Sequence, residues 1–283
     1  VKNKLNISAE QLKKDYNELI SVNAVARKYN VDSGTIKSRL IKFQIKYKPQ
    51  VKYNCDWDFF SKDTEESFYW AGFVAADGCV KIRKSSHGYG KEFYEMSIGL
   101  STIDENHLVK FKEYLQSNHP IKNFKLKGRS YKGKQYKDTY KSEITIVSKK
   151  ICDDLFKFNI VPRKSLIYNY PEWIIGHALE KHFVRGYFDG DGSLYASKSR
   201  NKKTDQFHFN VLGTENCLKN IKNFLNLTES VSKIRKIKNI YSLDYGGNNL
   251  VKKICEILYK NSNIFLQRKY EKYLNLLNYT TLP

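Results

Sequence analysis

Apolar positions along this chain follow two rhythms, and their order predicts the elements. Residues 69–80 read YWAGFVAADGCV, a mostly apolar run that stops on one carboxylate, Asp77, followed by Gly78. Residues 183–194, FVRGYFDGDGSL, repeat the order aromatic, glycine, aromatic, small residue, acid, glycine, and Asp191 falls 114 residues after Asp77. Each run leads into period-two alternation, the mark of a half-buried strand. Val80 and Ile82 alternate with Lys81 and Arg83, then Leu194 and Ala196 with Tyr195 and Ser197. A second alternating strand carries Tyr94, Met96, Ile98 and Leu100 in one half and Phe207, Phe209 and Val211 in the other. Helix starts follow at Thr102 and Thr214, with acids in the first turn. Two more strands per half (NFKLKGRSY and YKSEITIV, KIRKIKN and IYSLDY) lead to ICDDLFKFNIVPRK and ICEILYKNSNIFLQRK, both ending in Arg-Lys. The ordered matches define two copies of one αββαββα unit, residues 65–178 and 179–283. The fold class is therefore α+β, with two pseudo-symmetric repeats and antiparallel sheets. Two copies in one chain make a monomer with near-twofold geometry, which suits a near-symmetric partner such as duplex DNA.

Residues 1–48 have a different, purely helical rhythm and predict a small all-α domain. Ser8 can cap a helix bearing Leu12, Tyr16 and Leu19, and Ser21 one bearing Val22, Val25, Ala26 and Tyr29. NVDSG turns the chain into TIKSRLIKF, where Ile36, Leu40 and Phe43 share a face and Lys37, Arg39 and Lys42 lie elsewhere. The module resembles a helix-turn-helix DNA reader, with those three cations as its contacts. A plain helical hairpin with a solvated basic face is the other reading. Residues 49–64 read as a linker.

Charge sharpens the choice of partner. Fifty Lys and Arg against twenty-nine Asp and Glu leave a net charge of +21, an excess that repels itself unless a polyanion answers it. A packed core is affordable at 41% apolar residues. No apolar stretch reaches the ~20 residues of a membrane span, and no signal-peptide pattern opens the chain. The five cysteines form no C-x-x-C pair, so neither a disulfide framework nor a zinc ribbon is expected. That fits an intracellular, reducing compartment, such as a bacterial or phage-infected cytoplasm or an organelle. The six histidines form no H-E-x-x-H.

An acid at a helix C-terminus meets the negative end of the dipole. Ala71 and Ala75 lie four apart, as do Gly186 and Gly190, and small residues at that spacing let two helices approach closely. Packed so, the helices bring Asp77 and Asp191 together, and the repulsion needs a cation. Carboxylates with nearby main-chain carbonyls form an all-oxygen site suited to Mg²⁺. DGDGS (189–193) is not a calcium loop, because Leu194 and Arg200 stand where an EF-hand needs Gly and Glu. The glycines form no phosphate-loop or dinucleotide fingerprint.

WAGFVAADG (70–78) and VRGYFDGDG (184–192) resemble the two signature motifs of single-chain LAGLIDADG homing endonucleases, and the element order over residues 65–283 is similar too. The resemblance implies a double-strand DNA cut across the minor groove, leaving short 3′ overhangs. It maps the catalytic acids to Asp77 and Asp191, with metal held also by the carbonyls of Ala76 and Gly190. The earlier motif acid is present as Asp189 but replaced by Ala75 in the first copy. A family lysine near the cleaved strand maps to Lys164 and Lys269, for which a surface salt bridge is the alternative. Mn²⁺ is expected to replace Mg²⁺, and Ca²⁺ to bind without cleavage. Lys81, Arg83, Glu95, Ser97, Lys125, Lys127, Lys141, Glu143 and Thr145 are assigned to a DNA-facing sheet surface in the first half. Ser193, Tyr195, Gln206, His208, Asn210, Lys236, Lys238, Ser242 and Asp244 are assigned to it in the second. A non-cleaving transcription regulator and an intron RNA maturase are alternatives on the same fold.

Overall fold

The computed structural model describes residues 5–19, 21–47, 53–84, 92–128, 130–131, 133–198, 205–227 and 232–280. The chain divides into two units, Val1–Lys52 and Tyr53–Pro283.

In the first unit, α1 (Ala9–Leu19), α2 (Val22–Lys28) and α3 (Ser33–Lys42) enclose a core of Leu12, Tyr16, Val25, Ala26, Ile36 and Leu40. Ser21 caps α2 by accepting from the Ala24 amide, and Asp32 caps α3 by accepting from that of Gly34. The reversal between α2 and α3 therefore sits at Asn30, in the left-handed region (φ 50°), and Ser33 and Gly34 open the helix instead of forming the turn. The buried Asp15 accepts from Lys28 at 2.8 Å, from Gln11 at 2.9 Å and from the Tyr29 hydroxyl, so its charge is fully partnered.

The second unit begins before the first repeat. Part of the expected linker packs into the unit, since Phe59 and Phe60 on a short 3-10 turn are 4% and 2% exposed within its core. Two adjacent phenylalanines outweigh their polar neighbours. Thr64 then caps α4 (Glu65–Ala76). β1 (Gly78–Lys84), β2 (Glu92–Ser101), α5 (Glu105–Tyr114), β3 (Ile121–Leu126), a hairpin of β4 (Ser130–Tyr131) and β5 (Lys134–Gln135), β6 (Thr139–Val147) and α6 (Lys149–Lys157) complete the first half. The second half runs α7 (Glu180–Asp191), β7 (Gly192–Lys198), β8 (Asp205–Gly213), α8 (Glu215–Leu225), β9 (Ile234–Ile237), β10 (Ile240–Gly246) and α9 (Asn248–Tyr259), and α10 (Gln267–Thr280) closes it. Thr214 caps α8 as expected, but Thr102 opens a 3-10 turn and α5 starts three residues later without a side-chain cap.

Both halves build the same antiparallel sheet, β1-β2-β6-β3 and β7-β8-β10-β9. Val80, Met96, Ile98, Ile144 and Ile146 face one way from the first sheet, and Leu194, Phe209, Val211 and Leu243 from the second, into one core shared by both halves. Among the described residues no helix is long and apolar enough to cross a membrane.

Candidate active site and nucleic-acid interface

The shared core is organised around α4 and α7, which touch backbone to backbone. A Cβ on Gly72 would lie 2.0 Å from the Phe183 carbonyl oxygen, and one on Gly186 would lie 1.9 Å from that of Tyr69. Further along, a Cβ on Gly190 would lie 2.4 Å from the Ala76 Cβ and 3.3 Å from the Asp77 amide nitrogen. The contact stripe on α4 is thus Gly72 and Ala76, which correct the expected Ala71 and Ala75. The latter two point into side-chain packing, where Ala75 occupies the place that Asp189 fills in the other repeat. Gly78 and Gly192 follow the acids because the chain doubles tightly into a strand: a Cβ would lie 2.8 Å from the Val74 carbonyl oxygen in one and 2.4 Å from that of Phe188 in the other.

This crossing delivers Asp77 and Asp191 to one place. Burial pushes Asp191 up to about 6, and the neighbouring charge of Asp77 adds to the rise. Asp77 counts as an exposed residue, yet enough protein surrounds its carboxyl that desolvation raises it too, against the pull of Lys269 and Lys164. The two lysines are not in surface salt bridges. Lys164 is 5% exposed and donates to the Ala76 carbonyl at 3.0 Å. Lys269 is 1% exposed and donates to the carbonyls of Phe188 at 2.6 Å, Asp189 at 2.7 Å and Gly190 at 3.4 Å. Each ammonium group therefore sits on the negative end of one motif helix. Burial lowers both pKa values, that of Lys269 to about 8, and the nearby acids oppose the shift.

Two charged groups prove to be buried, Asp189, which the sequence marks only as the earlier motif acid, and Arg185, to which it gives no role. Asp189 is fully buried and accepts from the Tyr69 hydroxyl at 2.8 Å, the Tyr259 hydroxyl at 2.5 Å and the Leu266 amide at 2.8 Å. It pins the start of α10, the helix that carries Lys269. Arg185 is also fully buried, donating to the carbonyls of Ile264 and Leu258 and to Glu65 at 2.7 Å. A charged residue inside an otherwise apolar helix run was the available signal for each.

The faces of the sheets turned away from the core carry most of the assigned polar residues. Lys81 and Arg83 pair with Glu95 at 3.9 and 2.9 Å, Ser97 lies opposite Thr145, and Lys141 pairs with Glu143 at 2.6 Å. In the second sheet the Tyr195 and His208 rings stack at 5.0 Å, Gln206 lies opposite Ser197, and Asn210 donates to Asp244 at 2.6 Å. Strand register corrects two assignments, Lys125 and Lys236, and two more, Lys127 and Lys238, fall outside the strands. Lys125 lies opposite Tyr140, on the core-side series, and pairs with Asp138 at 2.8 Å; Lys127 follows the end of β3. Lys236 lies opposite Tyr241, beside its ring, and Lys238 is in the β9–β10 turn at φ 55°. The cations that do share the outer face on these edge strands are Lys122, opposite Glu143, and Arg235, which pairs with Asp244 at 2.7 Å. In the N-terminal unit Lys37 and Lys42 are exposed, while Arg39 is half-buried and donates to the Leu5 carbonyl at 2.9 Å.

Two four-stranded antiparallel sheets, joined by paired helices that end on acids, define the LAGLIDADG homing-endonuclease fold, and this chain has it. Solved structures with this fold include the meganuclease I-SmaMI bound to uncleavable DNA (TM-score 0.51, 14% identity, covering 75% of this chain and 88% of that one). They also include I-AabMI bound to uncleaved DNA (0.51, 11%, 75% and 88%) and I-GzeII in complex with a DNA target (0.50, 12%, 75% and 88%). No protein-family model matches the sequence, and no curated protein sequence does.

Proposed function

We propose that the protein is a site-specific endonuclease that cuts both strands of duplex DNA. The observation that carries this reading is the meeting of Asp77 and Asp191 at the ends of two helices in backbone contact, each helix end capped by a buried lysine. DNA as partner is supported by the net charge of +21, by the cations on both outer sheet faces, and by the DNA in the structures that share the fold.

The donor set fits Mg²⁺. It is all oxygen, and burial, with the neighbouring charge of Asp77 adding to it, raises the pKa of Asp191, whose ionisation a cation would favour. Asp77 and Asp191 would hold it, with the carbonyls of Ala76 and Gly190, whose second lone pairs remain beside the lysine hydrogen bonds. Bound there, a divalent ion supplies an activated water and charge neutralisation at the phosphate. Lys164 and Lys269 place an ammonium group at each helix end beside the acids, where its charge can steady the charge that builds up on a phosphate. One acid and one lysine per repeat correspond to one cut per strand. Lys37 and Lys42 of the N-terminal unit would add a second DNA contact.

One observation favours a second reading, a DNA-binding regulator that does not cut: the lysines already offset both helix ends without a metal. A library of plasmids with random inserts separates the two. The endonuclease reading expects linear product in Mg²⁺ and Mn²⁺, binding without scission in Ca²⁺, and no linear product when Asp77→Asn and Asp191→Asn are combined. Specific binding with intact strands in every divalent metal would leave the regulator.

A further inference from the structure

The edge strand β3 runs against its own sequence pattern. Phe124 and Leu126 alternate with Asn123 and Lys125, and burial of the apolar pair would turn them to the core. Register does the reverse: Phe124 lies opposite Lys141 and Leu126 opposite Thr139, on the face away from the core. They are 42% and 49% exposed, whereas Ile121, in the core-side series, packs on the core. An apolar pair left open on an unpaired strand edge invites aggregation unless something covers it.

The surroundings say what the cover is. Lys122 shares the face, one position along the same side of β3. Lys141 lies across Gly99, where a Cβ would be 2.0 Å from its Cε, and Glu143 fixes its ammonium group at 2.6 Å. Phe124 thus stands between Lys122 and Lys141, the latter ion-paired with Glu143, and Leu126 lies beside it opposite Thr139, on a chain of charge +21. Duplex DNA presents that combination in reverse: phosphates along the edges of the major groove and, within it, the thymine C5-methyl as the apolar feature of a base edge.

We propose that Phe124 and Leu126 read thymine methyl groups in the major groove of the half-site under the first sheet. The proposal rests on the DNA-binding reading above and adds which residues set base preference, and for which base. The full chain would be used in Ca²⁺ to retain duplexes from a randomised library. Thymines of the enriched site would then be replaced one at a time by deoxyuridine, which lacks only the methyl. Expected are thymines at nearby positions of one half-site and binding about four-fold weaker for each methyl removed there. In a Phe124→Ala, Leu126→Ala variant the same replacements should cost nothing, and both sites are exposed enough for the fold to be kept. Equal binding of thymine and uracil duplexes by the unaltered protein overturns the proposal while leaving DNA binding intact. So does a uracil penalty that the variant retains. Failure to enrich any duplex would instead remove the DNA-binding reading on which it rests.

Discussion

The backbone of Gly186 presses on the carbonyl of Tyr69 so closely that a methyl group there would lie 1.9 Å from its oxygen. Gly72 stands in the same relation to Phe183 at 2.0 Å, so one contact is made twice across the pseudo-twofold. Both obstructing oxygens belong to the backbone, and relief requires the helices to separate. Gly72→Ala and Gly186→Ala should each destabilise the second unit by at least ~1–3 kcal/mol, the usual cost of overpacking. Denaturant midpoints would measure it, and unchanged midpoints would mean that the helices are not in backbone contact.

The acids should make stability depend on pH and metal together. Asp191 titrates near 6 in the folded chain because burial and Asp77 disfavour its charge, against roughly 3.9 when unfolded. Between those values the folded state binds more protons than the unfolded one, so stability falls as pH rises through about 4 to 6 and stays lower above. Asp191→Asn should therefore raise the melting temperature at about pH 7 in EDTA and change it little near pH 4. Mg²⁺ should raise the melting temperature of the unaltered protein at about pH 7 more than that of the variant. Identical pH profiles would show that neither burial nor Asp77 disfavours the charge of Asp191.

Each lysine caps one motif helix, which predicts strand-specific defects. Lys164→Met should slow cleavage of one strand and Lys269→Met that of the other, each by about 10²–10³, the size of losing one placed donor at a developing charge. A duplex end-labelled on either strand resolves the two nicks. Equal slowing of both strands by either variant would point to a shared structural role.

How far the sequence could be read follows from what alternation can and cannot encode. The repeat, its two acids and its two Arg-Lys ends were legible because spacing along the chain was enough. On α7 the spacing picks the contact pair Gly186 and Gly190, whereas on α4 the contact lies one position beyond Ala71 and Ala75, because both pairs are small and only the neighbouring helix distinguishes the faces. The edge strands misled more. KIRKIKN sets Arg235 and Lys236 side by side, so alternation does not fix which faces outward, and in NFKL it gives the opposite of the register found. A strand flanked on one side only is not held to the rule that apolar means inward. Buried charges were also hidden: nothing local separates Lys269, locked onto three carbonyls, from a lysine in water.

Asp189 is another buried charge, and its removal should be costly. Asp189→Ala would remove the acceptor shared by the Tyr259 hydroxyl, the Leu266 amide and the Tyr69 hydroxyl, the last of which keeps only His107 Nε2 at 2.9 Å. A loss of ~3–5 kcal/mol is expected, as for other broken buried charge networks. Asp189→Asn keeps one carboxamide acceptor and should cost less. If alanine and asparagine unfold at the same denaturant concentration, hydrogen bonding is not what holds this position.

The N-terminal unit has a core of its own, so its contribution should be separable. Deleting residues 1–52 should leave the unfolding transition of the remainder in place. If the unit reads DNA beside the main site, the deletion weakens binding by about 10² or more, because a linked second contact acts through effective concentration. Lys37→Glu with Lys42→Glu in the full chain should reproduce that loss without lowering stability, since both side chains are exposed. Arg39 is a poor choice for the same test, because its guanidinium ties α3 to the Leu5 carbonyl and its loss would disturb the fold. Gel-shift titrations of the three proteins on one duplex decide the matter, and equal affinities would show that the unit makes no DNA contact there.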